Sequence, residues 1–523
     1  MNTNSEPRVR RSIEDLQADY KHGNKKPLED LMRAWKGIKE LPADNPHSFF
    51  MLGGFHGEPF RGGGWGSSAY WGGYCNHGNV LFPTWHRVYL LKLEAALQSI
   101  PGCADVMLPF WDETCPESLA SGIPWALTQH EFVLDGVIVS NPLRSFVFNQ
   151  NIKDSINGDT PNYSKPRGYE TVRYPLSGLV GSPADQAATE KHNAQFPDCN
   201  ANVQLLDKNI VNWLTSYIEV KGKKIPTNVH AKFVSCLDAP NYTVFSNTTS
   251  ASQWNTNSAP GTPPVVPLES PHNSIHLAIG GFDVPQQGDF SPIAGANADM
   301  GENDTAGLDP IFYFHHCFID RVFWLWQKKH GFTDHLEVIA EYPGTNSVDN
   351  QGPTPGTAPN SWLTLDSPLT PFKTNDDATY TSRDCIDIEK QLGYTYGPGS
   401  LEEQPAMFAA AEQGHSTRTI RVSGINRASI RGSFLVSAFT TIDGERYHVG
   451  TEAVLSRWST QGCANCQAHL EVKAFMDLHA FQEESLTAAG YEIEIRTRDG
   501  VITQPQGAAR LTFEKKPFHL EVW

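Results

Sequence analysis

The sequence has no apolar run long enough to cross a bilayer, no surplus of positive charge, no disulfide-like cysteine pattern and no internal repeat. Each absence excludes something. A membrane span needs about 20 consecutive apolar residues, and nothing approaches that. Nucleic acids and anionic membranes are bound through a basic face. The formal net charge is −17, so neither is expected as a main partner. The N-terminal stretch MNTNSEPRVRRSIEDL carries Arg10 and Arg11 with no apolar segment behind them. It reads as neither a secretory nor a twin-arginine leader, and the expected location is cytoplasmic. Nine cysteines, mostly scattered singly, fit reduced thiols better than a disulfide framework.

What is present divides in two. At 523 residues the chain is too long for one core, and two or three domains are expected. Residues 12–40 carry a helical pattern with charge outside. A second helix, TWHRVYLLKLEAALQS, starts at Thr84 and sets His86 on the face of Leu90, Leu93 and Leu97. A short helical pattern over 271–281 places His272 and His276 on one face. The clearest helix is DPIFYFHHCFIDRVFWLWQKKHG, with Asp309 as a natural N-cap, Pro310 at the first position and Gly331 at the end. Residues 53–79 are so rich in glycine that no regular helix is expected there, and 113–260 read as loop-rich, with Pro, Asn and Ser throughout. LGYTYGPGS closes a first domain, 1–400, and 401–418 reads as a linker. From Thr419 several short segments alternate with period two. The expected fold is a mainly α domain followed by an all-β sandwich over 419–523.

Polar residues stand where that long helix is otherwise apolar. His315, His316, Asp320 and Arg321 interrupt it, and burying them costs free energy unless something binds them. His56, His77 and His86 lie close together in sequence. His272, His276 and one of His315 or His316 make a second group. A lone buried histidine usually finds an ordinary hydrogen-bond partner. Six facing inward would each need one, whereas a pair of metal ions would satisfy them together. All-imidazole donors suit copper, zinc, iron or nickel. A zinc hydrolase of the HExxH type needs Glu after the first histidine, and Asn273 stands there instead.

FPTWHR at 82–87, HNSIH at 272–276 and DPIFYFHHCFIDR at 309–321, in that order, resemble the type-3 copper family of tyrosinases, catechol oxidases and hemocyanins. The resemblance covers most of 43–400 and extends to the C-terminal region. It implies a helical bundle around two copper ions, with O2 as co-substrate and phenolic small molecules as substrates. By this resemblance the first copper is held by His56, His77 and His86, and the second by His272, His276 and His316. His316 is chosen over His315 because the family's ligand precedes the aspartate by four residues, as His316 precedes Asp320. Helix geometry leaves both open. His315, Phe312, Asp112, Asp320 and Arg321 are then expected around the imidazoles, a structural ion pair being the competing account of Asp320 and Arg321. The implied activity is that of a tyrosinase, which o-hydroxylates monophenols and oxidises o-diphenols to o-quinones. A catechol oxidase or o-aminophenol oxidase is the runner-up. A hemocyanin-like oxygen carrier comes third, and a single copper domain argues against it. A homo-oligomer is compatible with the sequence.

The same resemblance implies finer features. Cys75, two residues before His77, would form a thioether with that ring; the alternative is a free buried thiol. Glu269 and Asn273 would hold a water that accepts the phenol proton. Their ordinary alternatives are a solvated loop residue and a helix-start hydrogen bond. The β-sandwich would cover the site and keep the enzyme latent. Tyr394-Thr395-Tyr396 resembles the motif that closes the catalytic domain. Cys463 and Cys466 resemble a copper-loading CxxC pair, since soft thiolates favour copper(I), with a disulfide or zinc half-site as alternatives. A side chain just before that pair would plug the pocket: Trp458 on bulk, or Val454 on spacing. With no cleavage sequence evident in 401–418, acid, detergent or subunit rearrangement is the expected trigger.

Overall fold

The computed structural model describes residues 6–57, 74–152, 164–286, 298–346, 361–402, 415–430, 432–456, 471–487, 489–497, 500–505 and short pieces to 522. Helix α1 (Ile13–Lys21) starts where Ser12 Oγ accepts a hydrogen bond from Asp15 N at 3.1 Å. α2 (Lys26–Glu40) buries Leu28, Leu31, Met32, Trp35 and Ile38 along one stripe. There follow α3 (Phe49–His56), α4 (Phe82–Gln98), α5 (Pro116–Ser121), α6 (Pro183–Asn193), α7 (Cys199–Thr215) and α8 (Val229–Cys236). Then come α9 (Tyr242–Ser246), α10 (Thr248–Asn257), α11 (Glu269–Gly280) and α12 (Ile311–His330).

Three expectations need correction. Segment 113–260 is less loop-rich than expected: α5 lies near its start, and α6 to α10 fill much of 183–257. Its Asn, Asp and Ser residues, which read as loop signals, are helix caps. The side chains of Ser182, Asp198, Asn228, Asn241 and Asn247 each accept from a backbone N–H in the first helical turn. Second, Gly53 and Gly54 lie inside α3. Gly53 is there for closeness, because a Cβ would stand 2.6 Å from the Gly307 carbonyl oxygen. Third, the two long helices shift. α4 begins at Phe82 with Pro83 in its first turn, and α12 begins at Ile311, whose N–H donates to Asp309 Oδ1 at 3.1 Å. Gly331 does end α12, in the left-handed conformation at φ 75°.

Short strands decorate the helical region: β1 (Arg8–Arg10), the hairpins β2–β3 (Glu131–Leu134, Val137–Ser140) and β4–β5 (Tyr217–Val220, Lys223–Pro226), β6–β7 (Pro368–Lys373, Thr379–Thr381) and β8 (Tyr394–Tyr396). β8 is the Tyr-Thr-Tyr motif. It pairs in parallel with β1, so the motif clasps the two ends of the helical region together.

From Thr419 the chain is strand-rich: β9 (Thr419–Asn426), β10 (Phe434–Ile442), β11 (Glu445–Val454), β12 (Glu471–Asp477), β13 (Gly490–Thr497), β14 (Gly500–Pro505), β15 (Thr512–Phe513), β16 (Lys516–Pro517) and β17 (His519–Val522). The orders β11-β10-β13-β14 and β12-β9-β17 form two antiparallel sheets. Their inner faces share one core that includes Ile420, Val422, Phe434, Val436, Ile493 and Ile495, which makes a sandwich. Val454 belongs to that core, so it is not a pocket plug. Period two settles this: Ala453 and Leu455, its neighbours, pack instead on the helical core. Trp458, Cys463 and Cys466 lie outside the described residues, as does most of 401–418.

The sandwich seats on the helices through polar contacts. Glu452 Oε2 of β11 accepts from Lys232 Nζ at 3.0 Å and from Ser270 Oγ on α11 at 2.8 Å. Arg496 pairs with Asp283 at 2.9 Å, and Ser433 Oγ donates to the Gly301 carbonyl at 2.7 Å.

Candidate metal centre

α3, the segment before α4, and α4 itself deliver the first group. His56 ends α3, and α3 is held against α4 and α12 by Tyr89, whose hydroxyl donates to the Leu52 carbonyl at 2.6 Å and lies 2.7 Å from the Tyr313 hydroxyl. The rings of His56, His77 and His86 stand 5.0–5.7 Å apart, centre to centre. α11 and α12 deliver the second. His272, His276, His315 and His316 all come together, so this group holds four imidazoles. The groups face each other: the His86 and His316 rings stack at 4.4 Å, and His77 stands 5.6 Å from His272. Phe312, one turn before His316, stacks on it at 4.0 Å and meets His56 edge-on at 4.8 Å.

Ring orientation is fixed from behind. Nδ1 of His56, His86 and His276 donates to the carbonyl oxygens of Asn303, Phe82 and Met300, at 2.9, 2.8 and 2.9 Å. Nδ1 of His272 donates to Asn273 Oδ1 at 2.9 Å. Each ring therefore carries its proton on Nδ1 and turns a lone pair on Nε2 inward, the tautomer a metal needs. Burial, and then the neighbouring imidazoles, hold His272 and His316 well below the usual histidine pKa, and burial lowers His86 to about 3. They are neutral at neutral pH.

Neutral rings so placed fit a metal and little else. His316 Nε2 lies 3.1 Å from His272 Nε2 and 3.3 Å from His276 Nε2. Three nitrogens around one ion at ~2.0–2.1 Å would be separated by roughly 3.3–3.4 Å. His86 Nε2 is buried without a hydrogen-bond partner. Without an ion, convergent lone pairs would repel one another in a dry site.

Other expected residues fall differently. His315 is the odd member of its group: its Nδ1 meets Glu113 Oε1 at 2.5 Å, both side chains fully buried. The sequence reading named Asp112 for such a role and missed Glu113. Asp112 engages a different partner, accepting from Ser400 N at 2.7 Å. LPFWDET contains both carboxylates and offers no signal to choose between them. Asp320 and Arg321 also leave the site. Asp320 meets Arg87 Nε at 2.6 Å and accepts from the hydroxyls of Tyr394 and Tyr396 at 2.6 Å each. Arg321 donates to the Ser400 carbonyl and to Glu402, each at 2.7 Å. Four residues beyond His316, Asp320 is a full turn (~6 Å) along the helix. These are structural ion pairs.

Glu269 is no solvated loop residue. It is buried at the start of α11, accepting from Gly78 N at 2.8 Å and from Thr248 N and Oγ1 at 2.8 and 2.9 Å. Burial raises its pKa despite those bonds. Asn273 makes no helix-start bond; it holds His272. Cys75 is buried beside Asn303, whose Nδ2 is 3.5 Å from its sulfur.

Known proteins are similar to this chain. The model of the common central domain of tyrosinase matches residues 46–329. Tyrosinase HcTyr2 of Hahella sp. is 53% identical over 95% of this chain and 93% of its own length. The tyrosinase of Aspergillus oryzae is 46% identical over 91% and 89% respectively. The solved tyrosinase from Burkholderia thailandensis at low pH covers 99% of this chain and 100% of its own, at 50% identity and a TM-score of 0.86. The chain belongs to the tyrosinase family, and its two facing histidine groups are the seat of that family's type-3 dinuclear copper centre.

Proposed function

We propose that the chain o-hydroxylates monophenols and oxidises o-diphenols to o-quinones with O2. The first copper is held by His56, His77 and His86, and the second by His272, His276 and His316. The observation that carries this reading is the pair of facing imidazole groups that meet through the stacked rings of His86 and His316. A bound copper pair supplies the dioxygen chemistry. The protein supplies the rest. Carbonyl oxygens and Asn273 hold the ring tautomers and Phe312 packs between the groups; the proposed role of Glu269 and Asn273 is to hold a water that receives the phenol proton. Copper analysis with assays on a monophenol and a diphenol tests this. Two coppers and turnover of both substrates are expected; reversible O2 binding without turnover would make it a carrier.

Asn273→Ala frees the His272 ring and removes one of the two proposed water-holding groups. Glu269→Gln keeps shape and loses the base. Each is expected to depress monophenol hydroxylation about tenfold to a hundredfold, and diphenol oxidation much less. Equal losses on both substrates would remove the water-holding role. A thioether between Cys75 and His77 is part of the reading, and intact-mass and peptide mapping read it directly as a loss of two hydrogens. Loading of copper through Cys463 and Cys466, Trp458 as pocket plug, a cytoplasmic location and a homo-oligomer are carried forward as proposals too.

The sandwich is proposed to hold the enzyme latent, with acid as the release. His448 of β11 is buried, with Nε2 2.7 Å from Thr451 Oγ1 and its ring on Phe439. Burial, helped by Arg496, Arg446 and Lys232, lowers its pKa from 6.5 to about 3. A depressed histidine pKa means the unfolded strand binds the proton first. Stability is therefore full above pH ~6.5 and falls as pH drops from there toward ~3. At pH 5 the loss from this one group is about 2 kcal/mol. His448→Gln is expected to flatten the pH dependence of sandwich unfolding, followed by denaturant titration, and to move activation to lower pH. An unchanged pH profile would clear His448 of the role.

A further inference from the structure

Residues 299–304 touch both metal groups. The Met300 carbonyl holds His276 Nδ1 and the Asn303 carbonyl holds His56 Nδ1, each at 2.9 Å. One histidine of each group is thus oriented by the same short segment. That segment has three anchors. Asp299 Oδ2 accepts from Tyr169 OH at 2.7 Å and Val172 N at 2.8 Å, and its other oxygen is 3.5 Å from Lys165 Nζ. Gly301 lies so close against Gly280, near the end of α11, that a Cβ on Gly280 would fall 2.0 Å from Gly301 Cα. Ser433, from the β-sandwich, donates to the Gly301 carbonyl at 2.7 Å and is itself held by Ser456 N at 3.0 Å.

We propose that residues 299–304 form one positioning strap shared by both copper sites, with Asp299 and Ser433 as the positioning residues that hold it. The inference rests on the ligand assignment proposed above. Carbonyl partners of ligand imidazoles set ring direction and basicity, and disturbing such partners typically costs tenfold to a hundredfold in metal affinity. A change at an anchor of a shared strap moves two carbonyls together. It therefore weakens both sites, whereas a change behind a single ring weakens one. Ser433 belongs to the sandwich, so the strap also carries the seating of the sandwich to both sites.

The test is copper(I) affinity, measured by competition with a chromophoric chelator. Two backgrounds separate the sites: His86→Ala keeps the second group whole, and His272→Ala keeps the first. Ser433→Ala is expected to lower affinity about tenfold in both backgrounds. Asp299→Asn should act in the same direction and further. Ser433→Ala removes one hydroxyl and serves where Asp299→Asn fails to fold, with circular dichroism confirming the fold. Glu113→Gln, which touches only His315 behind the second group, should leave the first group unchanged. An anchor variant that weakens one background alone, or neither, overturns the strap. A parent protein that binds fewer than two coppers overturns the ligand assignment, and the strap with it.

Discussion

His316→Ala is expected to leave one copper per chain and to lower turnover of both phenol classes by at least about 10³-fold, more than loss of a supporting partner costs. The ring is the meeting point of the site. Its Nε2 lies within 3.3 Å of those of His272 and His276, and it stacks on both His86 and Phe312. Removing it leaves two donors for the second metal and opens a cavity costing a few kcal/mol. Alanine favours the helix, so α12 should survive. His315→Phe is the companion experiment. It keeps the bulk, breaks the contact with Glu113, and should retain two coppers. Burial already holds the Glu113 carboxyl well above its ordinary pKa, which works against a stranded charge when its partner goes. Copper content and initial rates read both variants. If His315→Phe loses copper while His316→Ala keeps it, the assignment is reversed.

That choice between adjacent histidines shows how far the sequence could be read. All seven clustered imidazoles are legible in the sequence, five of them inside the three motifs and His56 and His77 through the family resemblance, and period-two segments announce the sandwich. Both signals are local, and local patterns are what a sequence displays. Partners from distant segments were not legible. Glu113 is 202 residues from His315 in the chain and indistinguishable in type from Asp112 beside it. The carbonyls of Met300 and Asn303 carry no sequence signature, because any residue supplies a carbonyl. Asp320 misled through correct local reasoning: it shares a helix stripe with His316, but its real partners come from α4 and β8. The caps of α6 to α10 misled differently, since Asn, Asp and Ser favour loops and helix starts for the same hydrogen-bonding reason. Val454 shows the precision needed: one residue of strand register separates the sandwich core from the helical face.

Asp320→Ala is expected to destabilise the helical region by about 3–5 kcal/mol while leaving ring geometry intact. Asp320 is the anion of a buried knot. It meets Arg87 at 2.6 Å and Arg10 at 3.6 Å, and all three side chains are essentially inaccessible. Removing it strands Arg87 with only the Cys385 and Ile386 carbonyls and Gln327 as acceptors. Arg10 keeps Glu94 at 2.9 Å, which limits the damage at that side. The hydroxyls of Tyr394 and Tyr396 lose their acceptor, and burial leaves them unable to ionise in compensation. Because β8 pairs with β1, the loss should loosen the clasp between the two ends of the helical region rather than the metal groups. Asp320→Asn keeps two acceptor directions without the charge and should cost less. Denaturant midpoints measured beside copper content and kcat separate the accounts. Lower stability with both coppers and normal kcat supports a structural knot. Lost copper or kcat at unchanged stability would return Asp320 to the role the family resemblance implied, orienting the imidazole four residues before it.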